Sequence, residues 1–127
     1  MRKITSLIIT LIILLGISPV LAQDYSKYSE DALKDILKEI AVVETKVLIP
    51  MRDGVGLSSD IYRPKDSKGA VPTIFVRTPY NMNTPNVRTL RSIVDAVSRG
   101  YAYILQNERG RYFSEGKFEI LGYPRTD

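Results

Sequence analysis

The sequence predicts an α/β fold in which an antiparallel hairpin is followed by a parallel strand–helix–strand unit, leaving an incomplete sheet. Two strand-like runs flank a Pro-Met-Arg-Asp-Gly turn at residues 50–54, and an Asp-Gly turn between such runs is typical of a hairpin. Apolar runs at 73–77 and 101–105 are separated by a helical pattern. A connection of that length favours parallel pairing, so the sequence predicts a mixed sheet.

An amphipathic helix is predicted just before the hairpin. Ser29 is suited to capping it, and Glu30 and Asp31 follow in the first turn, where the helix dipole favours acidic side chains. Apolar side chains then recur at helical spacing: Leu33, Ile36, Leu37 and Ile40. We expect this face to pack on the body of the protein. A membrane-surface helix would have a strongly basic polar face, which this helix lacks.

The later elements follow from apolar patterns. The hairpin strands are predicted at 42–49 and 57–62, and the strand at 73–77 has a continuous apolar run that predicts burial on both faces. Residues 87–99 show apolar side chains at helical spacing, which predicts the second helix, and Gly100 suits its C-terminus. The strand at 101–105 then leads into a polar turn that begins at Asn107.

Residues 1–22 are predicted to be a signal peptide rather than part of the fold. A basic start precedes an apolar stretch from Ile4 to Ile17, and Pro19 with Val20-Leu21-Ala22 suits cleavage after Ala22. An uncleaved membrane anchor is the alternative, since no charge lies between Lys3 and Asp24 and the length does not exclude a span. We therefore divide the chain into a leader at 1–22, a polar segment with a helix at 23–41, and a domain at 42–127.

Composition excludes several kinds of site. The chain has no His and no Cys, which rules out a His-based triad or a thiol nucleophile within these residues and disfavours a zinc site. We predict no metal and no cofactor. Without the leader the chain has 16 basic and 14 acidic residues, so its charge does not favour nucleic acid. Five arginines are interpreted as a solvated helix face and a turn: Arg88, Arg91, Arg99, Arg109 and Arg111.

Tyr80 is the candidate site residue. It follows Pro79 directly after the strand at 73–77. In one interpretation the ring packs in the interior and its hydroxyl finds one partner. In the other, the hydroxyl lies beyond the carboxyl end of the strand, where open α/β sheets bind ligands and a donor can stabilise developing negative charge. Ser114, by contrast, lies in no nucleophile motif and is interpreted as turn chemistry.

Five motifs in order resemble the N-terminal part of the CocE/NonD hydrolases. This family includes cocaine esterase-like enzymes, α-amino acid ester hydrolases, glutaryl acylases and X-Pro dipeptidyl-peptidases of the S15 type. The motifs are IPMRDGV at 49–55, LSSDIYRP at 57–64, RTPYN at 77–81, RGY at 99–101 and RGRYFSEG at 109–116. The resemblance covers residues 42–127. Asn107 departs from the Asp that the family often has there, which removes a charge beside a structural turn.

The resemblance implies an α/β-hydrolase catalytic domain with a Ser-Asp-His triad, in which Tyr80 supplies its hydroxyl to the oxyanion hole. The triad residues are expected beyond Asp127. The chain is then the N-terminal fragment of an exported serine hydrolase that cleaves acyl esters or amides through an acyl-enzyme, and is inactive alone. Its partners would be small-molecule or peptide substrates, not nucleic acid, with membrane contact only through the export signal. The alternative is a non-catalytic exported binding module on the same scaffold.

Overall fold

A computed structural model describes residues 23–119, so the predicted leader and the last eight residues lie outside the described range. Two helices and four strands follow a 3-10 turn at Tyr25–Lys27. They are α1 (Glu30–Ile40), β1 (Ala41–Pro50), β2 (Gly56–Pro64), β3 (Thr73–Thr78), α2 (Val87–Ser98) and β4 (Ala102–Asn107). The sheet order is β1-β2-β4-β3; β2 is antiparallel to β1 and β4, and β3 is parallel to β4. The predicted fold class is confirmed.

Both helices begin at side-chain caps. The Ser29 hydroxyl oxygen accepts a hydrogen bond from the Ala32 amide at 3.3 Å, as the sequence predicted. Asn86 caps α2 by accepting from the Thr89 amide at 3.0 Å, which the sequence analysis did not foresee. Gly100 follows α2 with φ 85°, a conformation that favours glycine. No helix within residues 23–119 has the length and apolar character needed to cross a membrane.

The hydrophobic core lies between the two helices and one face of the sheet. Leu33 and Ile93 are fully buried at the centre of this layer. The remaining core side chains come from both helices, from three strands and from the 3-10 turn: Leu37, Leu90, Val94, Ala96, Val97, Ala41, Tyr62, Tyr103, Leu105 and Tyr25. Burying such side chains removes apolar surface from water, which is the main stabilising term. The amphipathic faces predicted from the sequence therefore pack as expected.

The prediction that the strand at 73–77 is buried on both faces is wrong for the described part of the chain. Ile74 is 39% exposed and Phe75 is 49% exposed. The reason is position: β3 is an edge strand in this sheet, and both helices contribute to the core on the face that includes Tyr103. Phe75 pairs with Ile104 on the other face, which neither helix covers.

A bulge interrupts β1 where the sequence predicted a regular strand. The register with β2 shifts between Glu44 and Val47, and Lys46 adopts φ 58°. Both the Lys46 amide and its Nζ reach the Asp60 carboxylate, at 2.9 and 3.0 Å. Asp60 is only 5% exposed, so the bulge supplies partners to a buried charge.

Candidate active site

The candidate site lies at the carboxyl ends of the two parallel strands. Thr78, the last residue of β3, is paired with Asn107, the last residue of β4. Tyr80 lies two residues beyond this pair, and the residue is 73% exposed. Within residues 23–119, therefore, the Tyr80 ring does not pack in the interior. Asn107, which the sequence analysis placed in the turn, belongs to the strand.

The backbone around Tyr80 is fixed by hydrogen bonds although its side chain is exposed. The Tyr80 amide donates to the Thr78 hydroxyl at 3.2 Å, and the Tyr80 carbonyl accepts from Asn107 Nδ2 at 2.9 Å. The Thr78 carbonyl accepts from the Glu108 amide at 3.1 Å. Asn107 was noted in the sequence as a departure from the family's Asp, but its role as a donor to Tyr80 was not predicted.

Arg111 holds the peptide before Tyr80. Its Nε donates to the Pro79 carbonyl at 3.1 Å. The guanidinium carbon lies 5.3 Å from the Tyr112 ring centroid and 4.8 Å from that of Phe118. Cation–π contacts of this kind restrict a guanidinium that would otherwise move freely. Arg111 therefore lies in the turn after β4, as predicted, but contacts the candidate site and is not simply solvated.

The turn after β4 is tied to the start of β2. The Ser114 hydroxyl donates to the Asn107 carbonyl and accepts from the Ser58 amide, both at 2.9 Å. The Gly56 amide donates to Glu115 Oε2 at 2.8 Å, and the Glu115 amide donates back to the Gly56 carbonyl. Ser114 is 8% exposed and serves as a structural bridge, which agrees with its interpretation as turn chemistry.

Two of the five sequence motifs meet in an ion pair. Arg109 Nη1 and Nη2 contact the Asp53 carboxylate oxygens at 2.9 and 3.1 Å. The hydrogen bond from Arg109 holds the pKa of Asp53 below its usual value. Gly110 follows with φ 64°, and a Cβ there would lie 2.1 Å from the Phe118 amide nitrogen. The hairpin turn and the turn after β4 thus form one connected scaffold.

A polar row crosses the sheet just before the site. Arg77 Nε donates to Gln106 Oε1 at 2.8 Å, and Gln106 Nε2 donates to the Ser59 hydroxyl at 2.9 Å. Ser59 and Gln106 are both 1% exposed. Buried polar groups with satisfied hydrogen bonds specify one arrangement of their strands. The sequence offered no signal for this row, because it depends on register between distant strands.

Neither a groove nor a cluster of metal-binding side chains within residues 23–119 offers a better candidate for the active site. A groove of about 580 Å³ lies at the opposite, amino ends of β3 and β4, between α1, the segment before β3 and the end of α2. Ligands in open α/β sheets bind at the carboxyl ends. Within residues 23–119 no group of three or more His, Cys, Asp or Glu side chains could hold a metal ion.

The mixed four-stranded sheet with its two helices is part of an α/β-hydrolase fold, as its similarity to a solved α-amino acid ester hydrolase shows. The model of the X-Pro dipeptidyl-peptidase (S15) family matches residues 53–127, so the chain belongs to that family. Cocaine esterase from Rhodococcus sp. (strain MB1 Bresler) is 42% identical over 78 residues. The match confirms the family predicted from the five motifs.

Solved structures agree with this assignment. A selenomethionine-labelled α-amino acid ester hydrolase is 32% identical, with a TM-score of 0.51, over 81% of this chain. An aminopeptidase from the marine sediment archaeon Thaumarchaeota archaeon is 25% identical, with a TM-score of 0.51, over the same share of the chain. The matched regions make up 17% and 18% of those two chains. The cocaine esterase match covers 60% of this chain and 13% of the esterase.

Proposed function

We propose that this chain forms the N-terminal part of an exported serine hydrolase that cleaves acyl esters or amides, and that the Tyr80 hydroxyl belongs to its oxyanion hole. The supporting observation is the position of Tyr80: an exposed phenol on a hydrogen-bonded backbone, two residues beyond the carboxyl end of a parallel strand. The similar proteins are a cocaine esterase, an α-amino acid ester hydrolase and an aminopeptidase, which favours ester or peptide substrates.

The proposed reaction is acyl transfer through a covalent intermediate. A serine oxygen outside these residues attacks the substrate carbonyl while a histidine takes its proton, and negative charge develops on the carbonyl oxygen. The Tyr80 O–H donates a hydrogen bond to that oxygen. Collapse of the intermediate breaks the bond to the leaving group, which receives the proton from histidine. Water then hydrolyses the acyl-enzyme by the same route, releasing the acid and the free serine.

The test uses the complete protein encoded by the gene. We expect it to hydrolyse 4-nitrophenyl acetate and to be labelled by a fluorophosphonate, which reacts with activated serines. Tyr80→Phe should lower kcat by about a hundredfold, the usual cost of one oxyanion donor, while KM and the thermal midpoint change little. Wild-type activity in Tyr80→Phe would remove Tyr80 from the mechanism. Absence of both hydrolysis and labelling would favour the binding-module alternative.

We also propose that the protein is exported, with residues 1–22 removed as a signal peptide. The support is the order of basic start, apolar stretch and Val20-Leu21-Ala22 in the sequence. Expression in a bacterial host followed by N-terminal mass analysis of the exported protein should find a chain that begins at Gln23. A membrane-bound product that retains Met1 would instead support the uncleaved anchor.

A further inference from the structure

The backbone around Tyr80 is hydrogen-bonded by one segment of the chain, residues 107–111. Three successive carbonyls, those of residues 78, 79 and 80, each accept a hydrogen bond from the end of β4 or the turn after it. The donors are the backbone amide of Glu108 and the side chains of Arg111 and Asn107. We name these two side chains, Asn107 and Arg111, the clamp.

The clamp is itself fixed, which it must be to position anything else. Asn107 is 4% exposed, and its carbonyl accepts from the Ser114 hydroxyl at 2.9 Å. Arg111 lies against the rings of Tyr112 and Phe118. Replacing Asn107 or Arg111 with Asp or Glu would remove its clamp bond, because a carboxylate at neutral pH accepts hydrogen bonds but cannot donate them.

We infer that Asn107 and Arg111 are positioning residues that hold the Tyr80 hydroxyl where the oxyanion forms. This inference rests on the function proposed above. Within residues 23–119 Tyr80 is 73% exposed, so packing among these residues does not hold its ring in place, and its orientation there depends on the backbone that carries it. Small displacements of a catalytic group, of about 1 Å, can cost a hundredfold in rate. The clamp holds the carbonyls on either side of the Tyr80 Cα, those of Pro79 and Tyr80, and so limits such displacement.

A double-mutant cycle on the complete protein tests the inference, with 4-nitrophenyl acetate as substrate. Asn107→Ala should lower kcat by about tenfold to a hundredfold and leave KM within twofold. In the Tyr80→Phe background the same change should cost less than twofold, because no hydroxyl remains to be positioned. Arg111→Lys, which keeps the charge and loses Nε, should show the same dependence on Tyr80. It also serves as the second cycle if Asn107→Ala does not fold.

The matched controls separate positioning from stability. Asn86→Ala removes the cap of α2 at the far end of the same loop, so it should lower the thermal midpoint while kcat stays within twofold. Arg99→Lys alters an exposed arginine paired with Asp95 and should leave kcat unchanged.

The possible outcomes are distinct. Equal costs of Asn107→Ala and of Arg111→Lys with and without the Tyr80 hydroxyl would overturn the clamp while leaving the proposed function intact. If Tyr80→Phe is as active as wild type, or no hydrolysis occurs, the proposed function fails first and the clamp fails with it.

Discussion

Tyr62 shows how burial of one phenol links stability to pH. The residue is 6% exposed, and burial, with the nearby negative charge of Asp60, raises its pKa to about 12. In the unfolded chain a tyrosine ionises near pH 10. The folded state therefore keeps the Tyr62 proton to a higher pH than the unfolded state does. The stability that Tyr62 contributes is complete below pH 10 and is lost as pH rises towards 12.

We predict that Tyr62→Phe reduces the alkaline loss of stability. At pH 11 the Tyr62 phenol is largely ionised in the unfolded chain and largely protonated in the folded chain. This difference should lower the free energy of unfolding by about 1.4 kcal/mol relative to pH 8. Urea unfolding of wild type, Tyr62→Phe and the exposed control Tyr112→Phe at pH 8 and pH 11 measures this. The control should lose as much stability as wild type. An equal loss in Tyr62→Phe would mean that the phenol ionises in the folded state.

At the scale of elements, the bulge in β1 depends on an ion pair that spans two strands. Lys46 donates to Asp60 through both its amide and its Nζ, and the Asp60 side chain is 6% exposed. Removing one partner of a buried ion pair leaves the other charge poorly solvated. We predict that Lys46→Met lowers the free energy of unfolding by about 1 to 3 kcal/mol, since the amide donor remains.

Lys38→Met is the matched control for that prediction. Lys38 pairs with Asp35, but both side chains are more than 70% exposed, so the pair contributes little. Denaturant unfolding at neutral pH should find the free energy of unfolding of Lys38→Met indistinguishable from that of wild type. Equal, small effects of the two variants would show that water solvates Asp60 as well as Lys46 does.

The turn after β4 requires glycine at position 110 for a reason beyond its φ. A Cβ there would lie 2.1 Å from the Phe118 amide nitrogen, whereas a Cβ on Gly100 would meet nothing within 4 Å. Gly100→Ala should therefore cost only the left-handed strain, about 1 kcal/mol. Gly110→Ala must also move the backbone, and we predict a larger loss in chemical denaturation. A smaller loss than in Gly100→Ala would contradict this account.

The elements were predictable where their causes are local in the sequence. The Ser29 cap, the turn at Gly54 and the helical faces each depend on residues within a few positions of one another, and all were predicted. The donor role of Asn107 depends on Tyr80, 27 positions earlier, and the bulge depends on Asp60. Such features follow from strand register, which a single sequence does not reveal. Exposure of β3 likewise depends on its place in the sheet.

At the scale of the whole molecule, both edge strands of the sheet, β1 and β3, expose apolar side chains. In the described range β3 pairs only with β4, and Ile74 and Phe75 are exposed beside it. Phe75 continues a row with Ile104 and Ile61 on the face away from the core. An exposed apolar edge strand can template pairing with another chain.

We predict that an expressed chain of residues 23–127 self-associates through this edge. Sedimentation velocity over a concentration series should show dimers or larger species, and Phe75→Lys should shift them towards monomer, because a charge on an edge strand opposes pairing. Tyr101→Lys places the same charge at another exposed aromatic residue, outside the strands, and should leave association unchanged. The complete protein offers a second comparison: if its β3 edge is paired, Phe75→Lys should not alter its sedimentation but should lower its stability. A chain of 23–127 that stays monomeric at high concentration would contradict this prediction.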